Sequence, residues 1–277
     1  MNIINGKQIQ ESKIEYFSKQ IANIKEKLKL VVIQVGNDEA SNVYVKSKKN
    51  LCEKVGILFE HIKYDEIDEE KLIQKIEQLN SDKTVTGILV QLPLPKSINE
   101  KRVIDSINPL KDVDGLTTYN IGNLFSGNKG LVPCTSLGVL EILENINAPI
   151  EGSNVVIVGR SKLVGLPLMG LLLKKNATVT ICHSKTKDLK EKTKQADILI
   201  VAIGKKEFIK DDYVKKDAIV IDVGINREDG KLYGDCDFEN IKEKCKAITP
   251  VPKGVGPLTV TMLVNNVIEA YYLQKNN

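Results

Sequence analysis

The sequence predicts an α/β protein of two lobes, each with a parallel-sheet core. Three observations predict it. Runs rich in β-branched residues alternate with stretches of helical spacing. A turn-rich segment interrupts the alternation once, after which it restarts. And 277 residues suffice for two compact domains.

The first series opens with residues 30–35, Leu-Val-Val-Ile-Gln-Val, read as a buried strand. Residues 40–55 read as a helix stopped by Gly56. A second strand covers 57–64. Residues 68–79 carry Leu72, Ile73, Ile76 and Leu79 at helical spacing. Residues 86–92 form a third strand, ended by Pro93 and Pro95. Such a βαβαβ series calls for parallel strands and right-handed crossovers. Residues 108–130, with Pro109, Gly115, Gly122, Gly127 and Gly130, read as a functional loop leading to a domain connection.

A helix over 135–145 follows, and the pattern restarts. Residues 154–158 are a continuous β-branched strand. Residues 164–175 form a helix that tolerates Pro167 in its first turn. Strands are expected at 178–182, 198–203, 218–223 and 248–251. A helix over 258–273 closes the chain.

Composition narrows the function. The hydrophobic fraction of 42% and charged fraction of 27% are those of an ordinary soluble protein. A net charge of +4 with dispersed lysines and few aromatics argues against a nucleic-acid surface and leaves an anionic small substrate open. No apolar run is long enough to span a bilayer, and residues 1–10 lack the apolar core of a signal peptide. Five cysteines without close pairing suit reduced thiols in a cytoplasm. With two histidines and no ligand spacing, no metal site is expected.

Two sets of residues point to chemistry. In the first lobe, Tyr44 and Lys48 are four apart, so on a helix they project about 40° from one another. Such a pair can stack on a flat substrate and handle a proton beside it, although a Lys is ordinarily a solvated neighbour. Gln91 stands at the tip of the third strand, and Asp114 precedes Gly115 in Lys111-Asp112-Val113-Asp114-Gly115. Ligands of parallel sheets gather beyond such strand ends.

In the second lobe, Val158-Gly159-Arg160-Ser161-Lys162-Leu163-Val164-Gly165 joins a strand to a helix. Gly159 suits the sharp turn and Gly165 a close strand–helix approach, with the helix N-terminus offered to a pyrophosphate. Ser161 replaces the second glycine of the usual dinucleotide fingerprint. After the next strand, Cys182-His183-Ser184-Lys185-Thr186 contains no acid to hold a ribose 2′-hydroxyl. Arg160 and Ser184 can instead hold a 2′-phosphate, which favours NADP over NAD. His183 is read as structural. A further candidate is the stiff loop around Pro252-Lys253-Gly254-Val255-Gly256.

Together these motifs resemble the bifunctional methylenetetrahydrofolate dehydrogenase/methenyltetrahydrofolate cyclohydrolase family. The matching pieces run in family order: Val35-Gly36 with Tyr44 and Lys48, Gln91-Leu92-Pro93-Leu94-Pro95, Lys111 to Gly115, Pro133-Cys134-Thr135, the Gly159 turn, Asp222-Val223-Gly224-Ile225-Asn226, and the loop from Pro252 to Pro257. The resemblance implies a catalytic lobe of 1–134 completed by 255–277, a Rossmann-like NADP-binding lobe of 135–254, a cleft between them, and a homodimer through the second lobe. It implies that Tyr44 stacks on a folate, that Lys48, supported by Gln91, serves the cyclohydrolase step, and that Asp114 holds the pterin. Val90, Leu92 and the Pro252, Lys253, Gly254, Val255 and Gly256 loop would line the folate. Gly159, Arg160, Ser161, Gly165, Ser184 and Ile225 would bind NADP.

Two departures from the family pattern stand out. Lys253 occupies a position usually held by Gly, where it can meet an acidic glutamate tail. Ser136 and Leu137 replace the usual Pro and a commonly basic residue. Other readings are a monofunctional dehydrogenase of the same family, a dehydrogenase of another small substrate, and a non-catalytic dinucleotide sensor.

Overall fold

The structure is a computed structural model that describes residues 2–276. Two compact units emerge, and each contains one parallel sheet. One comprises Ser12–Cys134 with Val260–Asn277, and the other comprises Met1–Glu11 with Thr135–Thr259.

The three-stranded unit contains β2 (Lys29–Val35), α2 (Glu39–Val55), β3 (Leu58–Tyr64), α3 (Glu69–Ser81) and β4 (Gly87–Val90). The strand order is β3-β2-β4, all parallel. Asp38 caps α2 by accepting from the Ser41 N–H at 2.8 Å, and Gly56 ends it at φ +88°, where glycine carries no Cβ penalty. On one face of the sheet Val31, Ile33, Ile88 and Val90 pack against Leu72, Ile73, Ile76 and Leu79 of α3. Leu72 and Ile76 are fully buried, each contributing about 1.5–3 kcal/mol.

Residues 108–130 are only partly a loop. α4 (Glu100–Asp105) precedes them, and α5 (Thr118–Ser126) forms inside them. Thr117 caps α5 and Gly127 closes it in the left-handed region at φ +78°. The two end signals outweigh the glycine content that suggested continuous turns.

The six-stranded unit contains β1 (Asn2–Ile3), the start of α1 (Gly6–Ala22), most of α6 (Cys134–Asn145), β5 (Asn154–Val158), α7 (Gly165–Lys174), β6 (Thr178–Cys182), α8 (Leu189–Thr193), β7 (Ile198–Val201), β8 (Ile219–Asp222), the hairpin β9 (Asn226–Glu228) with β10 (Lys231–Tyr233), α9 (Phe238–Ile241), β11 (Ala247–Ile248) and the start of α10 (Val255–Lys275). Its order is β1-β11-β8-β7-β5-β6, all parallel. The chain moves from β5 outward to β6 and then returns to the far side of β5 as β7. That reversal is the topological switch point where doubly wound sheets receive ligands.

Residues 1–11 join this unit rather than the first one, because β1 pairs with β11 and the Gln10 amide donates to Pro257 O at 2.8 Å. Among the described residues, no helix is long and apolar enough to cross a membrane.

Candidate active site

β2 ends at Val35, Gly36 follows it at φ +83°, and the chain then turns into α2. Tyr44 and Lys48 therefore lie on the helix that follows the central strand. Lys48 is 9% exposed, and its Nζ donates to Gln91 Oε1 at 2.8 Å. Gln91 Nε2 donates to Leu92 O at 2.7 Å, which fixes the amide with its oxygen toward the amine. Ser41 Oγ also donates to Leu92 O, tying α2 to the end of β4.

A neutral amide does not hold Lys48 charged as a carboxylate would. Burial lowers the Lys48 pKa, opposed by the negative charge of Asp114. Asp114, a half-buried residue, has its carboxyl pushed up by burial, while Lys48 pulls it down. Desolvation thus moves both groups toward their neutral forms. Tyr44 is half-buried, and burial raises its phenol, keeping it uncharged.

The sequence offers two aspartates here, and the geometry separates them. Asp112 is 1% exposed. Its carboxylate accepts from Gly115 N at 3.0 Å, Thr117 N at 2.8 Å and Asn120 Nδ2 at 2.9 Å. Those bonds commit it to shaping the turn. The segment runs beside β4, with Ile88 N donating to Lys111 O at 2.7 Å. Gly87 permits this, since a Cβ there would stand 2.4 Å from Val113 Cγ1. Asp114 then projects near Lys48, and Cys134, buried beside it, donates to Val113 O at 3.3 Å.

Not every residue expected to line a folate presents its side chain. Val90 is 1% exposed and packs in the core under α3, so only its backbone can face a ligand. Leu92 is half-buried.

In the six-stranded unit, Gly159 follows β5 at the switch point with φ +137°. A Cβ there would meet Ala202 O, just after β7, at 2.4 Å. A Cβ on Gly165 would lie 2.2 Å from Gly159 O, so the turn closes tightly onto the start of α7. Ser161 Oγ accepts from Val164 N at 3.1 Å, while Val164 itself provides no side-chain cap to α7. Arg160, Ser161, Ser184 and Ile225 are all exposed. This strand–turn–helix with an exposed guanidinium and no acid after β6 fits a dinucleotide bearing an extra phosphate.

His183 serves its own turn. Its Nδ1 accepts from Lys185 N at 3.1 Å, and its backbone N–H donates to Thr186 Oγ1. Ser136 is fully buried, and its hydroxyl donates to Val164 O at 3.1 Å, bracing the residue just before α7. Pro252 and Lys253 are exposed, while Gly254 and Val255 are buried. Lys253 takes φ +81°, a conformation that L residues rarely adopt. Gly256 lies beside Ile225, whose Cδ1 would be 3.9 Å from a Cβ at that glycine.

Sequence reasoning missed a second pair of buried acids. Asp235 accepts from the N–H groups of Ile203, Gly204 and Lys205 and from Asn226 Nδ2. Asp222 accepts from Gly224, Asp235 and Cys236 N–H. Burial pushes the Asp222 carboxyl up to about 7. These acids fasten the loops after β7 and β8. Their signal was Gly-flanked Asp in Asp222-Val223-Gly224 and Gly234-Asp235. Among the described residues, no group of three His, Cys, Asp or Glu side chains is placed to hold a metal.

Comparison with known proteins identifies the family of the whole chain. Residues 4–114 match the catalytic domain of tetrahydrofolate dehydrogenase/cyclohydrolase, and residues 133–275 match its NAD(P)-binding domain. The chain is 50% identical to the bifunctional protein FolD of Bacillus cytotoxicus over 97% of its length and 96% of that protein. It superposes on the bifunctional FolD dehydrogenase/cyclohydrolase of Campylobacter jejuni with a TM-score of 0.95 at 43% identity, covering 99% of both chains. The Trypanosoma brucei methylenetetrahydrofolate dehydrogenase-cyclohydrolase, solved with NADP and an inhibitor, gives a TM-score of 0.91 at 31% identity, covering 100% of this chain and 99% of that one. Two matched domains, relatives at this identity and the same fold throughout establish that the chain belongs to the tetrahydrofolate dehydrogenase/cyclohydrolase family.

Proposed function

We infer that this protein oxidises 5,10-methylenetetrahydrofolate to the 5,10-methenyl form with NADP, and then hydrolyses that product to 10-formyltetrahydrofolate. The observation that carries the two-step reading is the buried Lys48–Gln91 hydrogen bond beside Asp114. The pair argues against a dehydrogenase alone, whose hydride transfer asks for alignment rather than a base.

NADP, when bound, supplies the acceptor for a hydride from the methylene carbon. The two substrate nitrogens flanking that carbon stabilise the cation left behind, so this step asks of the protein alignment rather than an acid or base. Tyr44 and Asp114 hold the folate, the first by its ring and the second at the pterin. The Gly159 turn, Arg160 and Ser184 hold the dinucleotide, with Arg160 and Ser184 at the 2′-phosphate.

Ring opening then requires proton movement. Water adds to the methenyl carbon, and a base takes one proton from the water or its adduct. The bond from that carbon to N5 breaks as N5 takes up the remaining hydroxyl proton, leaving the formyl group on N10. Burial lowers the Lys48 pKa, which favours the neutral amine that can take this proton. Gln91 orients the amine without adding a charge. The substrate cation disfavours a second positive charge beside it and lowers the Lys48 pKa further.

The exposed Lys253 ammonium suits the carboxylates of a glutamate tail. We place a homodimer contact in the six-stranded unit, on the family resemblance, and sedimentation analysis tests it. The five described thiols, all free and buried, suit a reducing cytoplasm.

The test is an optical one. Purified protein is given methylenetetrahydrofolate with NADP or with NAD, and the methenyl absorbance is followed. It should rise and then decay faster than in a protein-free control, with NADP the more efficient cofactor. No methenyl formation, or decay at the protein-free rate, would overturn the reading. Equal efficiency with NAD would overturn the assignment of Arg160 and Ser184.

A further inference from the structure

We propose that Asn266, on the last helix, is a positioning residue for Asp114: it holds the turn from which that carboxylate meets the folate. The proposal rests on the folate-binding reading of Asp114 given above.

Asn266 sits in an otherwise apolar run, Met262-Leu263-Val264 before it and Val267-Ile268 after it, apart from its neighbour Asn265. It is 2% exposed. A buried carboxamide is costly unless its hydrogens are used. Both are. Nδ2 donates to Val113 O at 2.9 Å and to Val132 O at 2.8 Å, with Cys134 Sγ at 3.5 Å. Neither carbonyl belongs to the helix. One is the residue immediately before Asp114, and the other lies on the segment pressed against Gly115.

That second contact leaves no slack. Gly115 takes φ +72°, and a Cβ on it would stand 2.5 Å from Val132 C. The turn is therefore fastened on three sides: by Asn266 at Val113 O, by Asp112 at Gly115 N, and by Val132 against Gly115. Asp112 and its partner Asn120 arise locally, from the same loop and α5. Asn266 is the one contributor to this clamp from the far end of the chain. With its bonds gone, Val132 O loses the Asn266 donor and Val113 O keeps only the weaker Cys134 thiol, so Asp114 loses its fixed direction toward substrate and toward Lys48.

The same helix provides an internal control. Gln274 is also a carboxamide that reaches backbone carbonyls, donating to Thr86 O at 2.9 Å and Leu110 O at 3.0 Å. It ties α10 to the same unit without touching the Val113–Gly115 turn. If Asn266 merely anchored the helix, the two residues would behave alike.

Four variants of the full-length protein, Asn266→Leu, Asn266→Ser, Gln274→Leu and Asp114→Ala, are compared for thermal stability, folate KM, NADP KM, kcat and the pH profile of the cyclohydrolase step. Asn266→Leu should raise the folate KM about tenfold with the NADP KM unchanged. The acidic limb of its cyclohydrolase profile should move to lower pH, because a displaced Asp114 no longer holds the Lys48 pKa up. Asn266→Ser, which keeps one donor, should fall between it and the wild type, and it carries the test if Asn266→Leu does not fold. Gln274→Leu should lose stability and keep both KM values and the profile.

A folate KM within about twofold of wild type in both Asn266 variants, with Asp114→Ala raised about tenfold, would overturn the positioning role alone. The same holds if Gln274→Leu matches Asn266→Leu in KM. An unchanged folate KM in Asp114→Ala would overturn the reading of Asp114 and the proposal with it.

Discussion

Both units bury charges that fasten backbone, Asp112 and Lys111 in one and Asp222 and Asp235 in the other, but the three-stranded unit also buries a pair left uncommitted to backbone. In the three-stranded unit, Lys48 and Asp114 are desolvated near one another, and neither is neutralised by a direct ion pair. In the six-stranded unit the candidate ligand-holding side chains, Arg160, Ser161 and Ser184, face outward. Its buried acids, Asp222 and Asp235, are committed to backbone N–H groups. The contrast matches the chemistry assigned to each. Moving a proton needs a group whose pKa has been displaced, which takes burial. Receiving a dinucleotide needs a turn of fixed shape and surface charge, which takes glycines and a rigid scaffold.

The comparison breaks most visibly at Gly159. Gly159→Ala puts a Cβ 2.4 Å from Ala202 O. Hydride transfer should fall about a hundredfold. Hydrolysis of methenyltetrahydrofolate supplied directly should stay within about twofold, measured by separate assays of the two steps. Equal losses in both would mean that the units do not divide the work.

Arg160→Ala and Asp114→Asn sharpen it from the two sides. Removing the guanidinium should raise the NADP KM about tenfold and leave the NAD KM unchanged in initial-rate measurements. Asp114→Asn should raise the folate KM about tenfold. It also removes the charge that opposes burial at Lys48, so the Lys48 pKa should fall further. Because the neutral amine is the active form, the acidic limb of the cyclohydrolase rate should shift to lower pH. A shift to higher pH would contradict the account.

The smallest effect is expected at Lys253, which pays for its position with a left-handed backbone at φ +81°. Lys253→Gly should relieve that strain and raise Tm by about 1–2 °C, partly offset by the freer unfolded chain. Affinity for polyglutamylated substrate should drop relative to the monoglutamate. An unchanged ratio of the two would remove Lys253 from tail recognition.

Much of this organisation was legible from the order of residues. Strands 154–158 and 178–182 coincide with β5 and β6: β5 is a buried β-branched run, and β6, a half-buried edge strand, keeps the β-branched residues Thr178 to Ile181. Capped α2 and α3 were legible from their apolar spacing and end signals. α1 lies outside the expected elements, although Ile14, Phe17 and Ile21 stand at helical spacing; of its apolar residues only Ile9 and Phe17 are buried. β1 has two residues and exists only through its pairing with β11.

The site shows the same boundary. Tyr44, Lys48, Gln91 and Asp114 stand at places that a local pattern marks. The different duties of Asp112 and Asp114, two residues apart, depend on which one Asn120 and two backbone N–H groups engage. Two buried lysines make the point again. Lys111 donates to Leu79 O and Asp82 O at the end of α3, whereas Lys48 meets a single side-chain amide. Nothing in the neighbouring sequence distinguishes a lysine that caps a helix from one that meets a side-chain amide. Asn266 reaches Val113 from 153 residues away, beyond any local signal.

The central claim is that the desolvated amine belongs to the hydrolytic step and not to hydride transfer. Lys48→Met keeps the length and apolar stem of the side chain and removes the proton acceptor. Supplied with methylenetetrahydrofolate and NADP, this variant should form the methenyl product at an appreciable fraction of the wild-type rate. It should then accumulate that product, with enzymatic hydrolysis reduced about a hundredfold or more. Full cyclohydrolase activity in Lys48→Met, or equal loss of both steps, would contradict the account.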